Sequence, residues 1–162
     1  MAQLARTGKV DARDITVFDA KVDHHYQPAY TMVAGGVYGN ASVTKNQYER
    51  QIIRPNEGLL AKTPGVNWVR ENVASFDPAN NSLTLADGSK TTYDVLVVNP
   101  GLQLRYDLIE GAQEALDDPN APVGSMYYLE GAYKTSVIRD SFKGGNAVFY
   151  CPPFPIKCGG AP

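Results

Sequence analysis

Apolar positions change their period twice within the first 20 residues. Met1, Leu4 and Ala5 recur at helical spacing and Gly8 stands where a helix can end, whereas Ile15-Thr16-Val17-Phe18-Asp19 is a β-prone run closed by an acid. The pattern predicts a helix feeding a buried strand. Further on, Val66 to Val73 reads as a strand, with a turn following at Asp77-Pro78-Ala79-Asn80-Asn81. Ser82 to Ala86 then alternates as a half-buried strand, Asp87-Gly88 signals a tight turn, and Thr91 to Asn99 makes a third strand. Within the third, Val95-Leu96-Val97-Val98 is apolar without alternation, as a strand covered on both faces of a parallel sheet should be. It runs into Asn99-Pro100-Gly101, a turn of the kind found at the carboxyl edge where open α/β sheets bind ligands. Leu129, Tyr133, Val137, Ile138 and Phe142 fall near one face of a helix that Gly144 can cap, predicting a core helix packed on the sheet, and Asn146 to Tyr150 predicts a further strand. The stretch from Asp23 to Arg54 shows no such period and reads as a long loop of the kind that can lie over a ligand.

Helices alternating with apolar strands make the expected class α/β. Both ends read as cuts through βα units. Counting back from Asp19 places a glycine turn and first strand before Met1, and the strand at Asn146 to Tyr150 meets Pro162 before any crossover helix. The chain is therefore expected to be a fragment. Its 162 residues suffice for one domain of ordinary size, with 43% hydrophobic and 20% charged residues, which lies in the globular range. Fifteen basic against seventeen acidic side chains leave a net charge of −2, which gives no basic face for nucleic acid, and none is expected as a partner. The longest aliphatic run, Val95 to Val98, falls far short of the roughly 20 residues of a spanning helix, and no secretory signal is visible. Asn40-Ala41-Ser42 and Asn80-Asn81-Ser82 match glycosylation acceptors, a short pattern that carries no weight without that signal.

Candidate chemistry is sparse. Asp19, ending a strand after a helix, stands where dinucleotide-binding βαβ units carry the acid that holds a ribose hydroxyl, and equally where any solvated strand terminus would be. His24 and His25 are adjacent and diverge on either a strand or a helix, so no metal site is expected. Cys151 and Cys158 lie seven positions apart, matching neither a redox C-x-x-C nor a metal knuckle. Cys151 precedes Pro152-Pro153 and reads as a buried thiol. Cys158 follows Lys157 and precedes Gly159-Gly160, a setting that favours thiolate and nucleophilicity, although a small residue in a tight glycine turn fits the same letters.

Taken together, Asp19, His24-His25-Tyr26-Gln27-Pro28, Pro64-Gly65-Val66-Asn67-Trp68-Val69, Tyr93-Asp94, Gly101-Leu102-Gln103-Leu104, Gly145-Asn146-Ala147-Val148-Phe149 and Pro155-Ile156-Lys157-Cys158-Gly159-Gly160-Ala161-Pro162 resemble the sulfide:quinone oxidoreductases, most closely the mitochondrial type. The resemblance runs over nearly the whole chain. It implies an interior part of a flavoprotein with two dinucleotide-binding domains: a Rossmann-like FAD domain with a three-strand β insertion over 1–104, a connecting segment and helix over 105–143, and the start of a second Rossmann-like domain over 144–162. It implies further that Asp19 holds the adenosine ribose of FAD, Gln27 contacts the flavin, Val73 meets the adenine through its backbone, Gly101 belongs to a turn near the cofactor, and Cys158 is one of two redox cysteines. Asp19 departs from the Glu usual there, and Asn99-Pro100 from the Ala-Thr of the wider superfamily. The implied reaction oxidises hydrogen sulfide to a cysteine persulfide and passes two electrons through FAD to ubiquinone, with sulfite, glutathione or cyanide removing the sulfane sulfur. The implied site is peripheral on the mitochondrial inner membrane, or on the cytoplasmic membrane of a bacterium. A flavocytochrome-type sulfide dehydrogenase, a type-two NADH dehydrogenase and a non-catalytic α/β remnant are the alternatives. The chain alone, without a pyrophosphate-binding glycine loop, is expected neither to retain FAD nor to oxidise sulfide.

Overall fold

The computed structural model describes residues 2–38, 49–50 and 52–150. Helix α1 spans Ala2–Arg6 and stops as predicted, with the Thr7 hydroxyl donating to Leu4 O at 2.7 Å and Gly8 turning through φ +68°. A 3₁₀ turn at Ala12–Asp14 follows, nucleated by the Asp11 carboxylate, which accepts from Arg13 N at 2.9 Å. Strand β1, Thr16–Phe18, lies parallel to β4, Asn67–Val69, in the register Thr16–Asn67, Val17–Trp68, Phe18–Val69. Gly65 makes the approach to β4 close. Its φ is +98°, and an added Cβ would stand 3.3 Å from Ala12 Cβ.

The connection between β1 and β4 holds most of the core. Strand β2, Asp23–His25, pairs antiparallel with β3, Ile53–Pro55. Between them helix α2, Pro28–Gly35, begins on Pro28, whose missing N–H is one that a first helical turn leaves unused. It ends on Gly36 in the left-handed conformation, φ +83°, with Gly36 N and Val37 N returning to carbonyls of the last turn. Helix α3, Asn56–Leu60, leads back to β4. The stretch from Asp23 to Arg54 is thus an ordered strand, helix and return strand over its described residues, not one loop. Pro28 and Gly36 mark the ends of α2, and Ala29, Tyr30, Val33 and Ala34 give it a buried face at helical spacing.

Strands β5 (Val73–Asp77), β6 (Ser82–Leu85) and β7 (Lys90–Thr92) form the antiparallel three-strand meander that the turn signals predicted. Leu83 and Leu85 are buried and their neighbours are not, as the alternation required. Two boundaries differ from expectation. The single strand predicted over Val66 to Val73 breaks between β4 and β5, where the Glu71 carboxylate accepts from Asn72 N at 2.8 Å and takes that amide out of any ladder. The strand predicted over Thr91 to Asn99 stops at Thr92, leaving Val95 82% and Val97 66% exposed. A strand of a parallel sheet needs a bonded neighbour, and none of the described strands pairs with this run. The same holds for Asn146 to Tyr150, which forms no strand and leaves Phe149 92% exposed.

Helix α4 covers Ala112–Asp117 and α5 covers Leu129–Ser141. The latter packs on α2, not on a sheet, through Leu129 and Ala132 against Ala29, Tyr30, Val33, Ala34 and Ile52. Val137 and Phe142, expected on the buried face, are exposed. Gly144 is not the cap, since the helix already ends where Phe142 turns extended. Gly131 leaves room for the chain entering α5: an added Cβ would lie 2.6 Å from the Tyr128 ring and 2.7 Å from Ser125 O. Two cations of α5 finish other helices. Lys134 Nζ donates to Ala115 O, Leu116 O and Asp118 O at the end of α4, and Arg139 Nη1 donates to Ala34 O at 2.6 Å at the end of α2.

Candidate functional site

The carboxyl edge of the β1–β4 pair is the part of the molecule where a strand-end acid meets organised donors. Asp19 lies one residue beyond β1. Its amide donates to Val69 O at 3.2 Å, its carbonyl accepts from the Trp68 indole Nε1 at 3.0 Å, and its Oδ1 accepts from Lys21 N at 2.9 Å. The carboxylate is exposed, and it is Oδ1 that takes the Lys21 amide. Next along, Asn56 N donates to Val22 O and Asn56 Nδ2 to Lys21 O, each at 2.8 Å, which ties the turn after Asp19 to the start of α3. Arg70 sets its guanidinium 5.3 Å from the Trp68 ring centroid, so positive charge stands over the indole that holds Asp19. This edge combines a fixed acceptor with a nearby cation, which suits a sugar hydroxyl on a phosphorylated ligand.

Val73 opens β5 a few residues after β4 ends, so Asp19 and Val73 both leave the parallel pair at its carboxyl end. Gln27 precedes α2 in helical conformation, with an exposed side chain that makes no cap bond. Gly101 adopts φ +83° in an exposed turn with nothing within 4 Å of an added Cβ. Neither has a hydrogen bond in common with Asp19. Cys158, with Cys151, lies outside the described residues.

His24 and His25 diverge as adjacent strand residues must, opposite Arg54 and Ile53 respectively. His25 Nδ1 is hydrogen-bonded to the Tyr30 hydroxyl at 2.6 Å, which fastens β2 to α2. Burial, with the Glu130 charge, raises the Tyr30 pKa. Among the described residues no group of three His, Cys, Asp or Glu is placed to hold a metal ion. None of their helices is long and apolar enough to cross a membrane.

Sequence reasoning overlooked Trp68, Arg70 and Asn56. Trp68 enters the sequence reading as a strand residue and as part of the Pro64 to Val69 stretch of the resemblance, with no role at the site. The available signal is register, because a side chain opposite Val17 stands two residues before the strand-end acid.

The chain is mixed α/β, with an exposed acid at the carboxyl edge of a parallel pair of strands. It is similar to part of the solved sulfide:quinone oxidoreductase of the hyperthermophilic bacterium Aquifex aeolicus, with a TM-score of 0.57 and 25% identity, covering 78% of this chain and 25% of that one. More particularly, it is 35% identical over 150 residues to the mitochondrial sulfide:quinone oxidoreductase of Dictyostelium discoideum, covering 92% of this chain and 30% of the relative. The mitochondrial sulfide:quinone oxidoreductase of Mus musculus is 30% identical over 155 residues, 95% of this chain and 31% of that protein. The resemblance read from the motifs is borne out, and the chain spans about 30% of the length of these curated relatives. No family model matches.

Proposed function

We propose that this chain is part of an FAD-dependent sulfide:quinone oxidoreductase and contributes the adenosine end of the cofactor site together with one redox cysteine. The observation that carries the reading is the similarity to sulfide:quinone oxidoreductases over nine-tenths of the chain. The exposed Asp19 carboxylate, fixed at a strand end, supports it independently. Residues 1–104 then form part of a Rossmann-like FAD domain with the meander as its insertion, 105–143 connect, and 144–162 begin a second such domain.

In this reading Asp19 accepts from the adenosine ribose, Val73 meets the adenine through its backbone, Gln27 contacts the flavin, and Gly101 gives the turn beside it. Bound FAD supplies two-electron acceptance. Cys158 would act as one of two redox cysteines: sulfide would attack the sulfur bond joining them, leaving a persulfide on one and releasing the other as a thiolate. The electron pair of that thiolate would pass through bound FAD to ubiquinone, while sulfite, glutathione or cyanide would take the sulfane sulfur. The protein sits peripherally on the mitochondrial inner membrane. The chain by itself does not keep FAD through purification.

The test is a chimera in which this chain replaces the matching stretch of the mouse relative. It should purify with flavin absorbance and reduce a short-chain ubiquinone in the presence of sulfide, and Cys158→Ser should abolish the reduction. A chimera that folds and binds FAD but turns over unchanged with Ser at 158 refutes the role given to that cysteine.

A further inference from the structure

We propose that Trp68 is a positioning residue for the Asp19 carboxylate, so that its indole N–H governs affinity for the adenosine end of a dinucleotide. The inference rests on the reading of Asp19 as the ribose acceptor and deepens it.

The register explains why a side chain is needed. In the parallel ladder Asn67 N donates to Ile15 O, and the same stepping makes Glu71 N the donor due to Asp19 O. The chain leaves the ladder first, because β4 ends at Val69 and Asn72 N turns to the Glu71 side chain. Asp19 O would then lack its partner at the position where β1 exits the sheet. The Trp68 indole supplies that donor at 3.0 Å. With Val69 O accepting from Asp19 N, both backbone polar groups of Asp19 are bound to β4, one residue past the last strand pair. Only side-chain rotation is left, and Lys21 N restrains it through Oδ1. Asp19 is therefore held before any ligand arrives, which lowers the ordering cost of binding. Arg70 over the indole face keeps the ring seated.

The chain contains one tryptophan, so a ¹⁵N-labelled sample gives one indole N–H resonance, and it belongs to this bond. Adenosine 5′-diphosphate at millimolar concentration serves as the probe. It should shift that resonance, and Asp19→Asn should abolish binding. Replacing Trp68 by its benzothiophene analogue, which keeps the ring shape and loses only the donor, should weaken binding roughly three- to tenfold, the weight of one hydrogen bond. Affinities are measured well below the unfolding transition, where a bond that merely stabilises the fold leaves them unmoved. If the analogue binds as tightly as the parent chain while Asp19→Asn does not bind, the positioning role is wrong and the ribose reading stands. If Asp19→Asn binds equally well, both fall; if the parent chain does not bind the probe, the positioning role falls and the ribose reading is decided by whether Asp19→Asn strips flavin from the chimera.

Discussion

Gly36 is a position where both backbone conformation and space call for the absence of a side chain. It closes α2 at φ +83°, and an added Cβ would come within 2.6 Å of Arg139 Nη1, the group that caps Ala34 O. Gly36→Ala should cost about 1–3 kcal/mol, combining left-handed strain with a displaced cap, and should appear as a lower chemical-denaturation midpoint. Ile52 is fully buried between α2 and α5, and Ile52→Ala should lower stability by about 2–4 kcal/mol in the same assay. Three tyrosines give a pH dependence of known sign. Burial leads the causes that raise the pKa of Tyr30, Tyr106 and Tyr128, so the folded chain holds these protons more tightly than the unfolded one. Their contribution is complete below the unfolded value near 10 and fades as pH rises through the folded ones. Unfolding free energy measured from neutral to alkaline pH should be level and then fall, and Tyr106→Phe should flatten the fall.

At the level of elements, what could be read in advance was what local chemistry dictates. Asp87-Gly88 and Pro78 to Asn81 announced the turns of the meander, and Leu83 and Leu85 its buried face. What escaped depended on partners far along the chain. Val95 to Val98 has the composition of a central strand, yet a strand exists only when a neighbour bonds to it. The buried face of α5 was misjudged because Leu129 and the small Ala132, not the larger Val137 and Phe142, meet α2. Small residues at a close helix contact carry little weight in an apolar count. The acid of the candidate site was visible from its place at a strand end, whereas Trp68 and Asn56 act through the backbone of other residues and leave no motif. Lys134 caps α4 with three donated bonds, so Lys134→Met should loosen that helix, and circular dichroism should show a lower melting temperature while α2 keeps its own cap.

Across the whole molecule the apolar surface is unevenly covered. Val95, Val97, Val148 and Phe149 stand more than half exposed in β-prone runs without a charge, the kind of surface that seeks another chain. The purified chain should therefore self-associate with rising concentration, and the double change Val97→Lys and Phe149→Lys should shift light scattering toward the monomer. Unchanged association in that variant assigns it to another surface.

The two cations of α5 also set how the helical part comes apart. Because Lys134 finishes α4 and Arg139 finishes α2, unravelling α5 strips the last turn of two other helices at the same moment. Amide protons of all three should then exchange with solvent through one shared opening rather than three separate ones. A single helix acts as the clasp of a cooperative unit assembled from distant parts of the sequence.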